Sequence, residues 1–214
     1  MPDRLSILGG TPVREGYLGR WPVVDERDEQ AVLRVLRSGR WGRSGDGELE
    51  RFEARFAEYC GARYGVTVTN GTVALRIALW AAGVGPGDEV VVPPYTFLAT
   101  ATAVVECNAT PVFVDIQPDT YNLDPELFEQ AITPRTKAVI PVHFAGLPAD
   151  MDSICDIARR HGITVIEDAA HAHGSAHKGR RCGSLADIAC FSFQSSKNLN
   201  CGEGGIILTS DERL

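Results

Sequence analysis

The sequence predicts an α/β protein built on a mainly parallel sheet. From Tyr64 onward, short β-branched runs alternate with helix-length amphipathic stretches, the order that lays strands side by side in one direction. Gly, Pro, Asp and Asn punctuate nearly every junction between them. The 214 residues, 44% hydrophobic and 23% charged, suffice for one large core.

Taken in order, residues 1–24 read as an N-terminal arm ending just after Trp21-Pro22, and residues 25–214 as one large domain. Asp25 caps a helix reaching about Ser38, where Gly39 stops it, with Val32, Leu33, Val35 and Leu36 as its apolar face. Arg40-Trp-Gly-Arg-Ser-Gly-Asp-Gly47 reads as a loop, available to face a substrate. Leu49, Phe52, Phe56 and Tyr59 recur at helical spacing and predict a second helix ending before Gly61. A strand over 66–69 and a helix over 73–82 follow, then the turn Gly85-Pro-Gly-Asp88 and a strand over 89–92. Next come a helix from Phe97 to Glu106, a strand over 111–115, a short helix near 125–132 and a strand over 137–142. Asp150 caps a helix through Arg160 with Gly162 as its stop, and strands over 164–167, 188–193 and 206–209 complete the set.

A formal charge of −7 disfavours nucleic-acid polymers, which need clustered Lys and Arg to displace counterions. Cys60, Cys107, Cys155, Cys182, Cys190 and Cys201 contain no C-x-x-C pair and read as reduced and structural. The start, Met1 to Gly10, lacks the apolar core of a secretory signal, and no stretch approaches membrane-spanning length, so the expected location is the cytoplasm.

The residues with chemistry stand at predicted strand ends. Lys197 lies in Cys190-Phe-Ser-Phe-Gln-Ser-Ser-Lys-Asn-Leu-Asn-Cys-Gly-Glu-Gly-Gly205, between an apolar run and a glycine-rich turn. A lysine amine becomes a nucleophile where its neutral form is favoured, and condensation with an aldehyde cofactor is the obvious use. Asp168 ends a buried run, where a carboxylate can hold a pyridine nitrogen in its protonated form or simply cap or pair. Gly71 and Thr72 follow a strand, and their amides and hydroxyl can hold a phosphate or serve only as a helix start. Ser192 is a second candidate phosphate ligand, and a strand serine equally bonds local backbone. Ala169 and Ala170 leave room for a flat ring, which Phe97 can cover by stacking unless it is a core residue. His171, His173 and His177 raise a metal reading, which lacks further ligands at matching spacing. His171 is better placed near a cofactor hydroxyl.

Together these residues resemble the DegT/StrS family of pyridoxal-phosphate-dependent sugar aminotransferases. The resemblance rests on Asn70-Gly-Thr-Val-Ala-Leu75, Gly83-Val-Gly-Pro-Gly-Asp-Glu-Val90, Pro93-Pro-Tyr-Thr-Phe97, Pro111-Val-Phe-Val-Asp115, Pro141-Val-His143, Glu167-Asp-Ala-Ala-His-Ala-His-Gly174 and Ser192-Phe-Gln-Ser-Ser-Lys-Asn-Leu199. It implies a three-layer sandwich, the large domain of a fold type I pyridoxal-phosphate enzyme. That domain is expected to be incomplete at its C-terminal end, with the small C-terminal domain absent. Catalysis falls to Lys197, which would bond the cofactor aldehyde, and to Asp168, which would pair with the ring nitrogen. His171 would lie near the phenolic oxygen, Phe97 and Ala170 would sandwich the ring, and Gly71, Thr72 and Ser192 would bind the phosphate of pyridoxal 5'-phosphate. The implied reaction moves an amino group from glutamate or glutamine to a keto sugar, nucleotide-linked, or to a related cyclic ketone, in a homodimer with no membrane or nucleic-acid partner and no metal.

Three other readings compete. A sugar dehydratase of the same superfamily would carry histidine in place of Lys197. A lyase with a cysteine nucleophile would need an activating partner beside Cys182, Cys190 or Cys201. A truncated, non-catalytic cofactor-binding or interaction fragment would keep the site without turnover.

Overall fold

The computed structural model describes residues 4–16, 19 and 21–214. Six α-helices are present among them, α1 (Glu26–Ser38), α2 (Glu48–Cys60), α3 (Gly71–Ala81), α4 (Ala99–Glu106), α5 (Pro125–Gln130) and α6 (Met151–His161). The strands are β1 (Tyr64–Val68), β2 (Glu89–Val92), β3 (Thr110–Phe113), β4 (Thr136–Val139), β5 (Thr164–Asp168), β6 (Ala176–His177), β7 (Arg180–Arg181), β8 (Ile188–Ser192) and β9 (Gly205–Thr209). Seven of them form one sheet in the order β1-β9-β8-β5-β4-β2-β3, and β6 and β7 form a separate hairpin. Only β9 runs against its neighbours β1 and β8, so the sheet is mainly parallel, as the alternation predicts.

Alternate residues of each buried strand feed opposite faces, which makes three layers. Val91, Val139, Val165 and Phe191 pack with Phe56 of α2, Phe128 of α5 and Ile154 of α6. Val90, Val92, Ile140 and Ile166 pack with Leu75 and Leu79 of α3 and Val104 of α4 on the other side. The predicted caps are in place. Asp25 accepts the Arg27 amide at 2.8 Å, and the Asp28 carboxylate takes the Asp25 amide at 2.9 Å. Asp150 accepts the Ser153 amide at 3.3 Å. No helix among the described residues is long and apolar enough to cross a membrane.

Several details differ from the sequence reading. The arm predicted over 1–24 falls partly outside the described residues. Helix α3 starts two residues early because Asn70 is its cap, accepting the Val73 amide at 2.9 Å. Helix α4 starts two residues late: Thr100 and Ala101 bond back three residues to Phe97 and Leu98, a tight lead-in turn that leaves Phe97 ahead of the helix and exposed. The β6–β7 hairpin was not predicted, since two-residue strands carry no periodicity. The loop over 40–47 folds back on α2: the Glu50 carboxylate takes the amides of Ser44, Gly45 and Gly47, and Arg43 pairs with Glu53. It lines no part of the cavity described next.

Candidate active site

Strands β1, β5 and β8 point their carboxyl ends at one edge of the sheet, the usual binding edge of an open α/β sheet. A cavity of about 750 Å³ opens there, a size suited to a cofactor with substrate. The eight residues assigned to catalysis and cofactor binding by the family resemblance all line it, whereas Ala169, His173 and His177 do not. Asp168 ends β5, Ala170 and His171 follow it, Ser192 ends β8, Gly71 and Thr72 open α3, and Phe97 precedes α4.

At the helix N-terminus, Asn70 occupies the Val73 amide and its carbonyl accepts the Ala74 amide at 3.0 Å. Among the described residues the Gly71 and Thr72 amides have no acceptor, which leaves two donors and the positive end of the helix dipole at the cavity. This helix end is pressed on the sheet. A Cβ on Gly71 would meet Ser192 Cβ at 2.9 Å, and one on Gly205 would meet Asn70 O at 2.6 Å.

Asp168 is 6% exposed. Its Oδ2 accepts the Thr100 hydroxyl at 2.8 Å and its Oδ1 accepts the Ala170 amide at 3.2 Å. Lys197 sits half-buried on the segment that leaves β8 and returns as β9, closed by Phe193 N–H to Gly204 O at 2.8 Å and Lys197 N–H to Gln194 O at 2.9 Å. Burial lowers the Lys197 pKa from its ordinary 10.5, opposed by the nearby Asp168 charge, so its reactive neutral form is favoured. His171 is also lowered, first by burial and then by Lys197, with Asp168 opposing, which favours a neutral imidazole at neutral pH.

Behind the cavity, Glu167 points to the other face and is wholly buried. Its Oε1 accepts the amides of Leu185 at 2.8 Å and Ala186 at 3.1 Å, and its Oε2 accepts the Gly183 amide at 2.8 Å. His143 Nδ1 accepts the Ala149 amide at 3.2 Å, so the ring proton lies on Nε2, which donates to Glu167 Oε2 at 3.0 Å. Neither Glu167 nor Thr100 was singled out from the sequence. Thr96 and Thr100, four residues apart at a helix start, were the available signal for the second.

The other readings fare worse. His171, His173 and His177 do not converge: His171 lines the cavity, His173 packs among Phe56, Phe191 and Phe193, and His177 lies 3.3 Å from Asp152. His143, Glu167 and Cys182 bring ligand atoms within 4.8 Å of one another, but amide and imidazole donors already engage the His143 and Glu167 acceptors. Burial pushes the Cys182 thiol up to about 12 and the Cys190 thiol well above its ordinary value, and raises Cys201, the opposite of an activated thiolate.

Comparison with known proteins gives the family and the fold. The model of the DegT/DnrJ/EryC1/StrS aminotransferase family matches residues 22–214. L-glutamine:scyllo-inosose aminotransferase of Streptomyces griseus is 47% identical over 216 residues, covering 99% of this chain and 51% of that protein. The crystal structure of 3-amino-5-hydroxybenzoic acid (AHBA) synthase superposes with a TM-score of 0.90 at 45% identity, covering 93% of this chain and 52% of that one. The protein named "Putative sugar aminotransferase Spr1654" from Streptococcus pneumoniae was solved in a PLP-form that matches with a TM-score of 0.85 at 36% identity, covering 90% of this chain and 53% of that one; a PMP-form is also known. The chain spans about half the length of the curated relatives it matches. The chain belongs to the DegT/DnrJ/EryC1/StrS aminotransferase family.

Proposed function

We propose that this chain provides the cofactor-binding part of a pyridoxal-phosphate-dependent aminotransferase. It moves an amino group from glutamate or glutamine to a keto sugar, nucleotide-linked, or to a related cyclic ketone, in amino-sugar biosynthesis. The observation that carries this is one cavity that gathers a lysine biased toward its neutral form, a buried carboxylate and a helix N-terminus with free amides.

The residues present fit the cofactor. The free Gly71 and Thr72 amides, with the Thr72 and Ser192 hydroxyls, supply phosphate donors. Phe97, Asp168, Ala170 and His171 line the same cavity: Ala170 and Phe97 would flank the ring, Asp168 would accept from its nitrogen, and His171 would lie near its phenolic oxygen. When bound, pyridoxal phosphate supplies an aldehyde for the lysine and an electron sink for charge at the substrate's α-carbon. Lys197 Nζ would hold the cofactor through its aldehyde carbon and, once freed by the amino donor, would be the base that moves a proton from the donor's α-carbon to that former aldehyde carbon. Asp168 holds the proton on the ring nitrogen, and the phosphate donors fix the ring's position while donor and acceptor exchange. The reading includes a cytoplasmic location and a homodimer, and the homodimer is supported by Phe97 and Leu98, which are 74% and 70% exposed beside the cavity, a patch suited to cover by a partner.

Adding pyridoxal phosphate should produce a visible absorption band, and borohydride reduction should fix the cofactor's mass on the Lys197 peptide. Lys197→Ala should lose both, and glutamate or glutamine should bleach the band in the wild type. A protein that takes up no cofactor would sink the reading. Bound cofactor without turnover would favour a non-catalytic cofactor-binding fragment.

A further inference from the structure

We propose that Thr100 is a positioning residue for Asp168, fed by Thr96, a role that rests on the aminotransferase reading above. Thr100 is the one buried polar side chain of α4, set among Ala99, Ala103 and Val104. Val would fill the same space, so packing alone does not call for a hydroxyl there. Its proton goes to Asp168 Oδ2 at 2.8 Å. A hydroxyl has a single proton to give, so the 2.8 Å contact between Thr96 and Thr100 has Thr96 donating and Thr100 accepting. Thr96 lines the cavity, and the run Thr96, Thr100, Asp168 forms a hydroxyl chain from the cavity wall to the carboxylate. Bonds in such a chain polarise one another.

The Ala170 amide holds Oδ1 at 3.2 Å, so the Thr100 bond completes a two-point hold that selects one carboxylate rotamer. Each oxygen keeps lone-pair capacity for a ring N–H in the cavity. Without Thr100 the carboxylate can turn about its terminal torsion, which is broad when unrestrained.

The test uses Thr100→Val, which keeps the shape, Thr100→Ser, which keeps the donor, and both Val and Ser against an Asp168→Ala background. Pyridoxal phosphate affinity should fall about tenfold in Thr100→Val, near the lower edge of what a hydrogen bond to a charged group is worth, and Thr100→Ser should recover to within about threefold. In Asp168→Ala, adding Thr100→Val should change affinity less than about twofold, because the group it acts through is gone. Crystal structures of the cofactor-free variants should show Asp168 turned from its wild-type rotamer in Thr100→Val and unchanged in Thr100→Ser. An equal loss in both backgrounds, or an unmoved carboxylate in Thr100→Val, overturns the proposal. A wild type that binds no pyridoxal phosphate would fail the aminotransferase reading instead, and the cofactor-free structures would still decide whether Thr100 holds Asp168.

Discussion

Lys197 and His173 show burial acting on two bases in different ways. The Lys197 amine opens on the cavity, and its lowered pKa means that the rate of cofactor attachment should rise with pH and level off below the ordinary lysine value of 10.5. Stopped-flow absorbance against pH reads this directly, and a midpoint at or above 10.5 would contradict it. His173 is pushed to about 4 by burial, its ring nitrogens lacking partners among three phenylalanines. Between 6.5 and 4 the unfolded chain binds a proton at this position and the folded chain does not, so its contribution to stability is lost as pH falls through that window. His173→Phe should flatten the fall of the urea midpoint between pH 6.5 and 4, while leaving the midpoint at pH 8 within about 1 kcal/mol of the wild type's stability. At this scale the sequence was informative about Lys197, Asp168 and His171, because strand-end placement marks such groups. It said little about His173, whose environment is made by α2 and β8 from distant parts of the chain.

The elements around the site are pinned by side chains that never touch the cavity. Glu167 gathers the 183–186 turn and, through His143, the loop after β4, so it sets the strand end on which Asp168 stands. Glu167→Leu would strand three amides, those of Gly183 and Leu185 buried, and the imidazole donor, and should cost about 3–5 kcal/mol in urea denaturation. Glu167→Gln should also destabilise, since its amide group turns a donor toward N–H donors. A wild-type midpoint in either variant would show that the clamp contributes little. The strand alternation and caps of α1 and α6 were readable because propensity and tertiary role agree there. Glu167 was not, because a carboxylate inside an apolar strand gives no hint of which distant amides it will meet. Helix α4 began late for a related reason: Phe97 and Leu98 continue its apolar pattern but lie exposed beside the cavity.

For the molecule as a whole, α1 stands apart. It contributes no buried residue, and Val32, Leu33 and Leu36 stay exposed, so the two cores on either side of the sheet are complete without it. A protein starting at Gly39 should therefore keep its urea midpoint to within about 1 kcal/mol of stability. It should lose cofactor affinity, because Trp21 Nε1 donates to Ser195 O at 3.0 Å and steadies the Lys197 segment. A large drop in the urea midpoint would show that α1 belongs to the cooperative unit. The mainly parallel sheet was legible from alternation, but its strand order was not, since no local pattern says that the last strand turns back. Strand β9 enters between β1 and β8, and Gly205 closes on Asn70. On the ribosome this means that the first strand waits with an unpaired edge until nearly all of the described chain has emerged. The corner where Asn70 meets Gly205 is thus assembled last, and a newborn chain is exposed to wrong strand partners for most of its synthesis.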